Sequence, residues 1–462
     1  MTAVLTVRAP DDDTVLGTIP LDDSASIDRK VQSAAAAMRG WAGLSRGERS
    51  AALHDIAAAV RAEMNDLARA LAKEQGKTVR EAEIELDRFA GPFDQYADLT
   101  GTLPARPVPL GTGTRGRIER TPVGVAAGIV PWNFPASLFA SKLAPALAAG
   151  CGFLIKPAET TTLVTIRLTE LVRRFLPDGL VDVVAGGADV GATLVSHPQV
   201  PRVAFTGSTA AGREVAKLAA AQIKRVTLEL GGCDPYVVCA DADLRAAVRA
   251  LMGTRFYNAG QVCVAPKRLV VHKAVAADVI GRLEERLARV RLGPSLDPDS
   301  TMGPLHTEAC RDALEAQVAD AVNRGATLVG GGRPSYDAGW FARPALLIDP
   351  PDGARVRTEE TFGPVLTVLR ADDDDHAVAL ATETPYGLGA SVWSSDADRA
   401  FELARRIPAG YTWINTLGRV YDELPFGGIG LSGLGREHGI EALESYLEPR
   451  SYVYPEWMGE PR

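Results

Sequence analysis

Hydrophobic and polar residues recur with a helical period near the start of the chain, from about residue 24 to residue 99. Ser45-Arg-Gly-Glu48 has the pattern of a capping box before a long amphipathic run, and Gly76 is placed to end that run. Residues 1–20 are predicted to form an extended arm, and residues 101–116, rich in glycine and proline, a connection. We interpret the charges of the amphipathic run as a solvated face: Arg61, Glu63, Asp66, Arg69, Lys73 and Glu74.

From residue 123 the pattern changes to short apolar runs separated by helical segments. The runs predict five strands, at 123–130, 153–156, 181–184, 203–206 and 226–230. The intervening segments predict helices at 136–149, 160–175, 190–196 and 210–221. Strands and helices that alternate at this spacing predict an α/β fold with a doubly wound parallel sheet. Ligands of such sheets bind outside the carboxyl ends of the strands.

A second α/β region is predicted from about residue 231 to residue 425, with strands at 269–272 and 365–369. The acidic run 372–375 is interpreted as a surface loop, because four adjacent carboxylates cannot converge on one metal ion. The tail, residues 448–462, is predicted to be extended and is rich in aromatic residues. An exposed strand of this kind pairs readily with another chain.

Composition narrows the class of protein. The 462 residues are 46% hydrophobic and 23% charged with a net charge of −8, which offers no basic surface for nucleic acid. Five cysteines without paired short spacings argue against a disulfide framework and a zinc site, so no metal is expected. The longest apolar stretch is interrupted by Pro145 and Gly150, and the first residues lack a secretory pattern. We therefore expect no membrane partner and a cytoplasmic location.

Two loops at the predicted carboxyl ends of strands carry groups suited to a nucleotide. Lys156-Pro-Ala-Glu159 follows the second strand, and Phe205-Thr-Gly-Ser-Thr209 follows the fourth and opens a helix. Backbone N–H groups at Gly207 and Ser208 could hold a pyrophosphate there. The pattern Gly-x-Gly-x-x-Gly is absent, so an ordinary tight turn is an equal alternative on these residues alone.

One cysteine stands in a loop rather than in an apolar run. Cys263 lies within Asn258-Ala-Gly-Gln-Val-Cys-Val-Ala-Pro266, between small residues and a proline that prevents a continuing helix. A small molecule can reach a thiol in such a loop, although packing in the core is the alternative interpretation. Packing is the expected role of the other four cysteines: Cys151, Cys233, Cys239 and Cys310.

Six motifs occur together along the chain. They are Pro131-Trp-Asn-Phe-Pro135, Thr227-Leu-Glu-Leu-Gly-Gly232, Gly260-Gln-Val-Cys263, Glu359-Glu-Thr-Phe-Gly-Pro364, Pro425-Phe-Gly-Gly428 and Ser432-Gly-Leu-Gly-Arg-Glu437. With this ordered set the chain resembles the aldehyde dehydrogenase superfamily along nearly its whole length. The resemblance implies oxidation of an aldehyde to a carboxylic acid. Cys233 and Ile429-Gly430 depart from residues common in the family, and neither touches the implied chemistry.

By this resemblance Cys263 is the nucleophile, which adds to the aldehyde to give a thiohemiacetal and then a thioester. The Asn133 amide and the backbone N–H of Cys263 would stabilise the oxyanion, and Glu229 would activate the hydrolytic water. Taken singly, Asn133 could form a turn and Glu229 could be an exposed carboxylate; their occurrence with the cysteine loop favours catalysis. Lys142 and Glu437 match a proton relay, with an ordinary solvent-facing pair as an equal alternative.

The resemblance also implies how a nicotinamide cofactor is held. Glu159 would accept hydrogen bonds from a ribose 2′-hydroxyl and repel a 2′-phosphate, so NAD is expected and NADP is less favoured. Lys156 could still tolerate the phosphate. The complete implied set of cofactor-binding residues is Trp132, Lys156, Glu159, Gly191, Gly207, Ser208, Glu360 and Phe362.

Residues that flank the motifs are expected to line the aldehyde tunnel: Phe134, Leu138, Ser141, Tyr257 and Val420. Succinate-semialdehyde members commonly have arginine at the positions of Ser141 and Tyr257, and members for small aldehydes are bulky at those of Ser141 and Val420. We therefore expect a medium-length aliphatic or aromatic aldehyde. Arg419 could instead bind a substrate with an anionic tail, although a surface arginine is the favoured interpretation. A semialdehyde dehydrogenase and a CoA-acylating enzyme are the alternative functions, and Glu229 argues against the second.

The domain organisation is also implied by the resemblance. A cofactor-binding domain is expected from residues 1–106 and 123–230, and a second, catalytic α/β domain from residues 231–430. Residues 107–122 and 440–462 are expected to form a small β oligomerisation arm. The arm would join the chain into a homodimer or homotetramer.

Overall fold

The computed structural model describes residues 3–111, 113–336 and 338–459. The ranges predicted as domains and oligomerisation segments also include residues 1, 2, 112, 337 and 460–462, which lie outside the described residues. The strands are β1 (Val4–Arg8), β2 (Val15–Pro20), β3 (Arg106–Leu110), β4 (Thr114–Pro122), β5 (Val125–Ile129), β6 (Gly152–Lys156), β7 (Val181–Val183), β8 (Arg202–Thr206), β9 (Arg225–Glu229), β10 (Pro235–Val238), β11 (Arg268–His272), β12 (Thr327–Gly330), β13 (Ala345–Ile348), β14 (Val365–Ala371), β15 (Tyr386–Gly387), β16 (Gly389–Trp393), β17 (Tyr411–Ile414), β18 (Ile429–Gly430), β19 (Gly433–Leu434) and β20 (Leu447–Pro455).

The helices alternate with these strands beyond residue 123. They are α1 (Ser24–Gly43), α2 (Arg46–Ala62), α3 (Met64–Gln75), α4 (Val79–Leu99), α5 (Ser137–Ala149), α6 (Thr162–Arg173), α7 (Ala188–Val195), α8 (Thr209–Ala220), α9 (Leu244–Arg255), α10 (Lys273–Leu287), α11 (Glu308–Asn323), α12 (Arg355–Thr358), α13 (Asp374–Ala381), α14 (Ala397–Arg406) and α15 (Gly439–Ser445). Short 3₁₀ segments are formed by Glu159–Thr161, Tyr257–Gly260 and Glu456–Met458. In the described ranges no helix has the length and apolar composition needed to cross a bilayer.

The first sheet is the doubly wound sheet that the apolar runs predict. Its order is β19-β9-β8-β5-β6-β7, and β5 to β9 run parallel. The central strands β5, β6 and β8 are buried along their whole length, which explains their continuous apolar sequence. The strand β19 comes from far along the chain and pairs antiparallel with β9, so the sheet is completed by residues beyond the second sheet.

The helical start of the chain is confirmed in its boundaries. Capping boxes at Asp23, Ser45 and Thr78 begin α1, α2 and α4, and Gly76 ends α3 in the left-handed conformation with φ 100°. The predicted arm of residues 1–20 forms an antiparallel hairpin of β1 and β2 where it is described. Glu74 was wrongly assigned to a solvated face, because its buried carboxylate accepts the N–H groups of Leu163 and Val164 at 2.8 and 2.7 Å.

The second sheet has the order β12-β13-β14-β11-β10-β16-β17 and is parallel except for β12. The acidic run 372–375 is not a loop throughout, since Asp373 caps α13 and the next two residues form its first turn. Carboxylates in a first turn are favoured by the helix dipole. Asp374 and Asp375 also pair with Arg399 and Arg406.

A third sheet has the order β20-β4-β3. In it the tail of the chain, β20, pairs with β4, and β4 pairs with β3. Residues 101–116 are therefore not a plain connection, because β3 and the start of β4 lie within them. Glycine and proline weaken a strand pattern but are tolerated at a sheet edge, where β3 lies. The other edge is β20, and its Val453 side chain is 69% exposed.

Candidate active site

The Cys263 loop has a strained approach that is held from several sides. Three successive residues have positive φ: Asn258 (50°), Ala259 (52°) and Gly260 (74°). This conformation is costly for residues with a side chain and persists where neighbours impose it. The Glu81 carboxylate accepts the Asn258 N–H at 2.7 Å, and the buried Arg255 donates to the Gly260 carbonyl at 3.2 Å.

Cys263 is partly exposed, whereas Cys151, Cys233 and Cys239 are buried as predicted. Atoms packed around the Cys263 thiol desolvate it and raise its pKa to about 12, while the positive charge of Lys267 opposes this rise. Cys263 therefore combines partial exposure of the residue with a desolvated thiol that is protonated at neutral pH in the absence of a ligand.

Asn133 lies beside the cysteine loop and is buried. Its side-chain Nδ2 donates to the Gln261 carbonyl at 3.1 Å, which leaves the second N–H of the amide free to serve another acceptor. The backbone carbonyl of Asn133 accepts from Lys77 Nζ at 2.9 Å and from the Asn258 side chain at 3.1 Å. These bonds fix Asn133 to both the loop and the helical region.

Glu229 is the last residue of β9 and is buried rather than exposed. Burial and then the negative charge of Glu437 raise the pKa of its carboxyl well above the ordinary value. A carboxyl with a raised pKa is a stronger proton acceptor once it is ionised. When ionised, it also contributes to the raised pKa of Cys263, after burial, Glu360 and Asp234.

Lys142 and Glu437 form a buried ion pair of 2.6 Å, so the solvent-facing alternative is wrong. Lys142 Nζ also donates to the Thr206 hydroxyl at 2.7 Å, at the end of β8. Ser141, expected to line the tunnel, is buried and donates its hydroxyl to Glu437 at 2.8 Å. The pair thus stands behind Glu229 with its own network of polar contacts.

The carboxyl end of β6 presents Lys156 and Glu159 next to two glycines. A side chain at Gly191 would begin 3.2 Å from Lys156 Cδ, and one at Gly187 would begin 3.2 Å from Glu159 Oε1. Both glycines therefore leave room for these two long polar side chains at the start of α7. Burial lowers the pKa of Lys156, and Glu159 opposes that change.

The loop after β8 differs from the expectation in one respect. The Gly207 N–H donates to the Glu229 carbonyl at 3.0 Å and is therefore already bonded. The exposed Ser208 caps α8 by accepting from the Ala211 N–H at 3.2 Å. Gly207 thus links the loop to the strand that carries Glu229, and α8 offers its N-terminus beside it.

Trp132, Phe362 and Glu360, the remaining predicted cofactor residues, lie among other aromatic and charged side chains. The Trp132 ring meets Phe362 edge-on at 5.5 Å and stacks on His306 at 4.6 Å. Glu360 lies 3.8 Å from the Lys267 ammonium and accepts the Gly232 N–H at 3.4 Å. His306 escaped prediction because no motif surrounds it; burial lowers the pKa of its imidazole to about 4.

Two apolar groups contain residues that are predicted to line the aldehyde tunnel. Phe134 stacks on Tyr257 at 5.9 Å, and Leu138 is half-buried nearby in sequence. Cys263 and Val420 both pack against one apolar cluster. The members of that cluster are Leu388, Tyr411, Trp413 and Phe426, none of them predicted as pocket residues. Arg419 is exposed and lies over the Tyr421 ring at 5.3 Å.

Two buried charges missed by the sequence analysis support this site. Lys77 pairs with Glu85, and the Glu85 carboxylate also accepts the Ala136 N–H at 2.8 Å. The Lys77 ammonium lies 4.1 Å from the centre of the Phe134 ring. Across the described ranges, no cluster of histidine, cysteine and carboxylate side chains is arranged to hold a metal ion.

The family model of the aldehyde dehydrogenases matches residues 2–452, and the chain belongs to the aldehyde dehydrogenase family. Geranial dehydrogenase of Castellaniella defragrans is 38% identical over 445 residues, which cover 95% of this chain and 92% of that protein. The NADP⁺ succinate-semialdehyde dehydrogenase of Escherichia coli K12 is 37% identical, with 94% and 90% covered. Both relatives match over nearly their full lengths.

Solved structures agree with this assignment. Betaine aldehyde dehydrogenase of Staphylococcus aureus, solved in complex with NAD⁺, superposes with a TM-score of 0.95 at 32% identity and covers 98% of this chain and 92% of that one. An NADP-dependent enzyme of Escherichia coli superposes with a TM-score of 0.96 at 36% identity, with 98% and 95% covered. The α/β fold class predicted from the apolar pattern is confirmed.

Proposed function

We propose that this aldehyde dehydrogenase oxidises a medium-length aliphatic or aromatic aldehyde to its carboxylic acid, with NAD as the preferred cofactor. The observation that supports it most directly is the convergence of three groups in one buried region. They are the thiol of the partly exposed Cys263, the amide of Asn133 and the carboxyl of Glu229. These are the nucleophile, oxyanion donor and base that aldehyde oxidation through a thioester requires.

The first half of the reaction is covalent addition. The Cys263 thiol loses its proton to solvent, its sulfur bonds to the aldehyde carbon, and the carbonyl electron pair moves onto oxygen. The free N–H of the Asn133 amide donates to this oxyanion, an interaction whose loss costs about 2.7–4 kcal/mol in comparable sites. Hydrogen bonds from Lys77 and Asn258 to the Asn133 backbone carbonyl, and from the Asn133 side chain to the Gln261 carbonyl, hold this residue in place before the substrate arrives.

The second half releases the product by hydrolysis. Glu229 accepts a proton from a water molecule whose oxygen adds to the thioester carbon, and the carbon–sulfur bond then breaks with return of the electron pair to Cys263. Lys142 and Glu437 carry the proton onward from Glu229, through the ion pair of 2.6 Å behind it. The products are the carboxylic acid and the free thiol.

The residues around the cleft fit a dinucleotide. Lys156 and Glu159, given room by Gly187 and Gly191, would hold the adenosine ribose, and the N-terminus of α8 at Ser208 would face the pyrophosphate. Further contacts to the nicotinamide end would come from Trp132, Glu360 and Phe362. When bound, NAD supplies the acceptor for the hydride that leaves the former aldehyde carbon.

The preference for NAD over NADP follows from the charge of Glu159, which repels a 2′-phosphate. Lys156 offers a cation beside it, so NADP remains a weaker cofactor. Relatives of both kinds exist: the Staphylococcus aureus structure contains NAD⁺, and the Escherichia coli succinate-semialdehyde dehydrogenase is named for NADP⁺.

The substrate assignment rests on the apolar approach to Cys263. Phe134 and Tyr257 form one stacked wall, and Val420 packs on the same cluster as the thiol-bearing residue. Surfaces of this kind gain from burial of hydrocarbon, about 25 cal/mol per Å². The semialdehyde alternative depends on Arg419, the exposed arginine beside Val420, as the partner of a carboxylate tail.

Initial rates of NADH formation test the proposal with octanal, benzaldehyde and succinate semialdehyde, with NAD or NADP, and with or without CoA. We expect kcat/KM for the first two to exceed that for the semialdehyde by about tenfold or more, NAD to be preferred, and CoA to be unnecessary. Highest activity with succinate semialdehyde, lost selectively in Arg419→Ala, would establish the semialdehyde alternative. A strict requirement for CoA would establish the acylating one.

A further inference from the structure

Lys267 lies four residues beyond Cys263, at the foot of the cysteine loop, and its side chain is completely buried. Its ammonium donates to the Val262 carbonyl at 2.8 Å and to the carbonyl of Cys263 itself. The backbone N–H of Lys267 donates to the Asp234 carbonyl at 2.9 Å. The residue therefore ties the loop to the start of β10 through backbone and side chain together.

Two carboxylates accompany this ammonium. Glu360 Oε1 lies 3.8 Å from Lys267 Nζ, and Asp234 is buried beside the same backbone segment. Burial raises the pKa of Asp234 to about 7, and Lys267 is the cation that most opposes the rise. Burial of an ammonium is costly unless carbonyl oxygens and carboxylates surround it. The two loop carbonyls and Glu360 meet this requirement at Lys267.

We propose that Lys267 is a positioning residue that holds the Cys263 loop in its reactive conformation and stabilises the Cys263 thiolate by its positive charge. Its contact with Glu360 also links the nucleophile to a residue that we expect to bind the nicotinamide end of the cofactor. This proposal rests on the proposed function only in taking Cys263 as the nucleophile. The charged groups that act on the thiol are Lys267, Glu360, Asp234 and Glu229, and Lys267 is the cation among them.

Lys267 lowers the pKa of Cys263, whereas its three acidic neighbours raise it. Removing the positive charge leaves the thiol facing three carboxyl groups, which disfavours the thiolate and slows its reactions as a nucleophile. Retaining a positive charge in Lys267→Arg preserves the stabilisation. A lysine with no contact to the loop provides the matched control: Lys224, which donates to the His197 carbonyl.

The experiment measures alkylation of Cys263 by iodoacetamide in the full chain without cofactor, between pH 7 and pH 9. Peptide mass spectrometry identifies the modified residue, and Cys263→Ala supplies the blank. We expect the rate constant in Lys267→Met to fall about tenfold at each pH, the change that one unit in thiol pKa produces. Lys267→Arg should stay within about threefold of the wild type and Lys224→Met should match it.

An unchanged alkylation rate in Lys267→Met overturns the inference, as does an equal loss in Lys267→Arg and Lys267→Met. Thermal unfolding of each variant identifies any that fails to fold, and a folded Lys267→Arg then decides the comparison with the wild type. The result is independent of turnover. A wild type without activity on any aldehyde would remove the proposed function while the alkylation comparison still stands or falls by itself.

Discussion

At the scale of the residue, Glu229 has an environment suited to a base that works only in its ionised form. Burial and the nearby Glu437 carboxylate hold the pKa of Glu229 above its ordinary value, whereas Lys142 lowers it. Below its raised pKa the carboxyl keeps its proton and cannot accept one from water. Turnover limited by hydrolysis should therefore rise with pH through the pKa of this group.

The variant Glu437→Gln tests this electrostatic account. Loss of the negative charge removes one cause of the raised pKa and leaves Lys142 uncompensated, so both changes lower the pKa of Glu229. The rising limb of kcat against pH should move to lower pH by about half a unit or more. Glu441→Gln, an exposed carboxylate on α15, is the control and should leave the limb in place. A shift of the Glu437→Gln limb to higher pH would contradict the account.

The proposed catalytic residues could be named from the sequence because their motifs occur in a fixed order around Cys263, Asn133 and Glu229. Lys77 and Lys267 could not, because a paired buried lysine and a surface lysine look alike in a sequence. The same reason explains the wrong placement of Glu74. His306 carries no motif, and only the folded chain brings it against Trp132.

At the scale of the element, α4 and the loop after β5 are joined by the Lys77–Glu85 pair. Glu85 binds the N–H groups of Ala136 and Ser137 before α5, and Lys77 binds the Asn133 carbonyl. The proposed oxyanion donor is thus positioned by Glu85 of α4 and by Lys77 just before that helix, through contacts that span 51 and 56 residues of sequence. We therefore expect loss of this contact to lower both the stability of the fold and the rate of the reaction.

Lys77→Met should lower the free energy of unfolding by about 3–5 kcal/mol, because Glu85 is left as an uncompensated buried charge. The double variant Lys77→Met/Glu85→Gln should recover about half of that loss, since the Gln carbonyl still accepts the two N–H groups. Urea unfolding of the three proteins measures both values. No recovery in the double variant would show that the charge of Glu85 is not the cause.

Elements followed from the sequence wherever the apolar pattern was continuous. The five predicted strands of the first sheet match β5 to β9 within about two residues, because buried parallel strands are apolar throughout. The local pattern missed β3 and β4, where glycine, proline and arginine alternate, and a β arm at residues 107–122 and 440–462 was expected only from the family resemblance. Their partner β20 follows more than three hundred residues later, a pairing that no local pattern records.

At the scale of the whole molecule, the last two strands of the chain pair with strands from its first half. β19 completes the first sheet, and β20 then pairs with β4 over nine residues. Val453 on β20 is 69% exposed, and Trp457, in the 3₁₀ segment just beyond this strand, is 83% exposed. We propose that this surface joins copies of the chain into a dimer or tetramer, since exposed apolar side chains at a sheet edge favour pairing.

Val453→Asp tests the proposed interface. A carboxylate buried between copies is unfavourable, so light scattering after gel filtration should show a smaller assembly than the wild type forms. Ile223→Asp is the matched control, since Ile223 is 94% exposed in the turn after α8 and is not part of the third sheet. Equal masses for the wild type and Val453→Asp would place any interface elsewhere.

The most direct test of the account is the burst of NADH in the first turnover after aldehyde and NAD are mixed with the enzyme. Cys310, the other partly exposed cysteine, provides the matched control. We expect wild type and Cys310→Ala to form about one NADH per chain, and Cys263→Ala to form none, since no other thiol can make the thioester. A burst that survives in Cys263→Ala would contradict the assignment of the nucleophile.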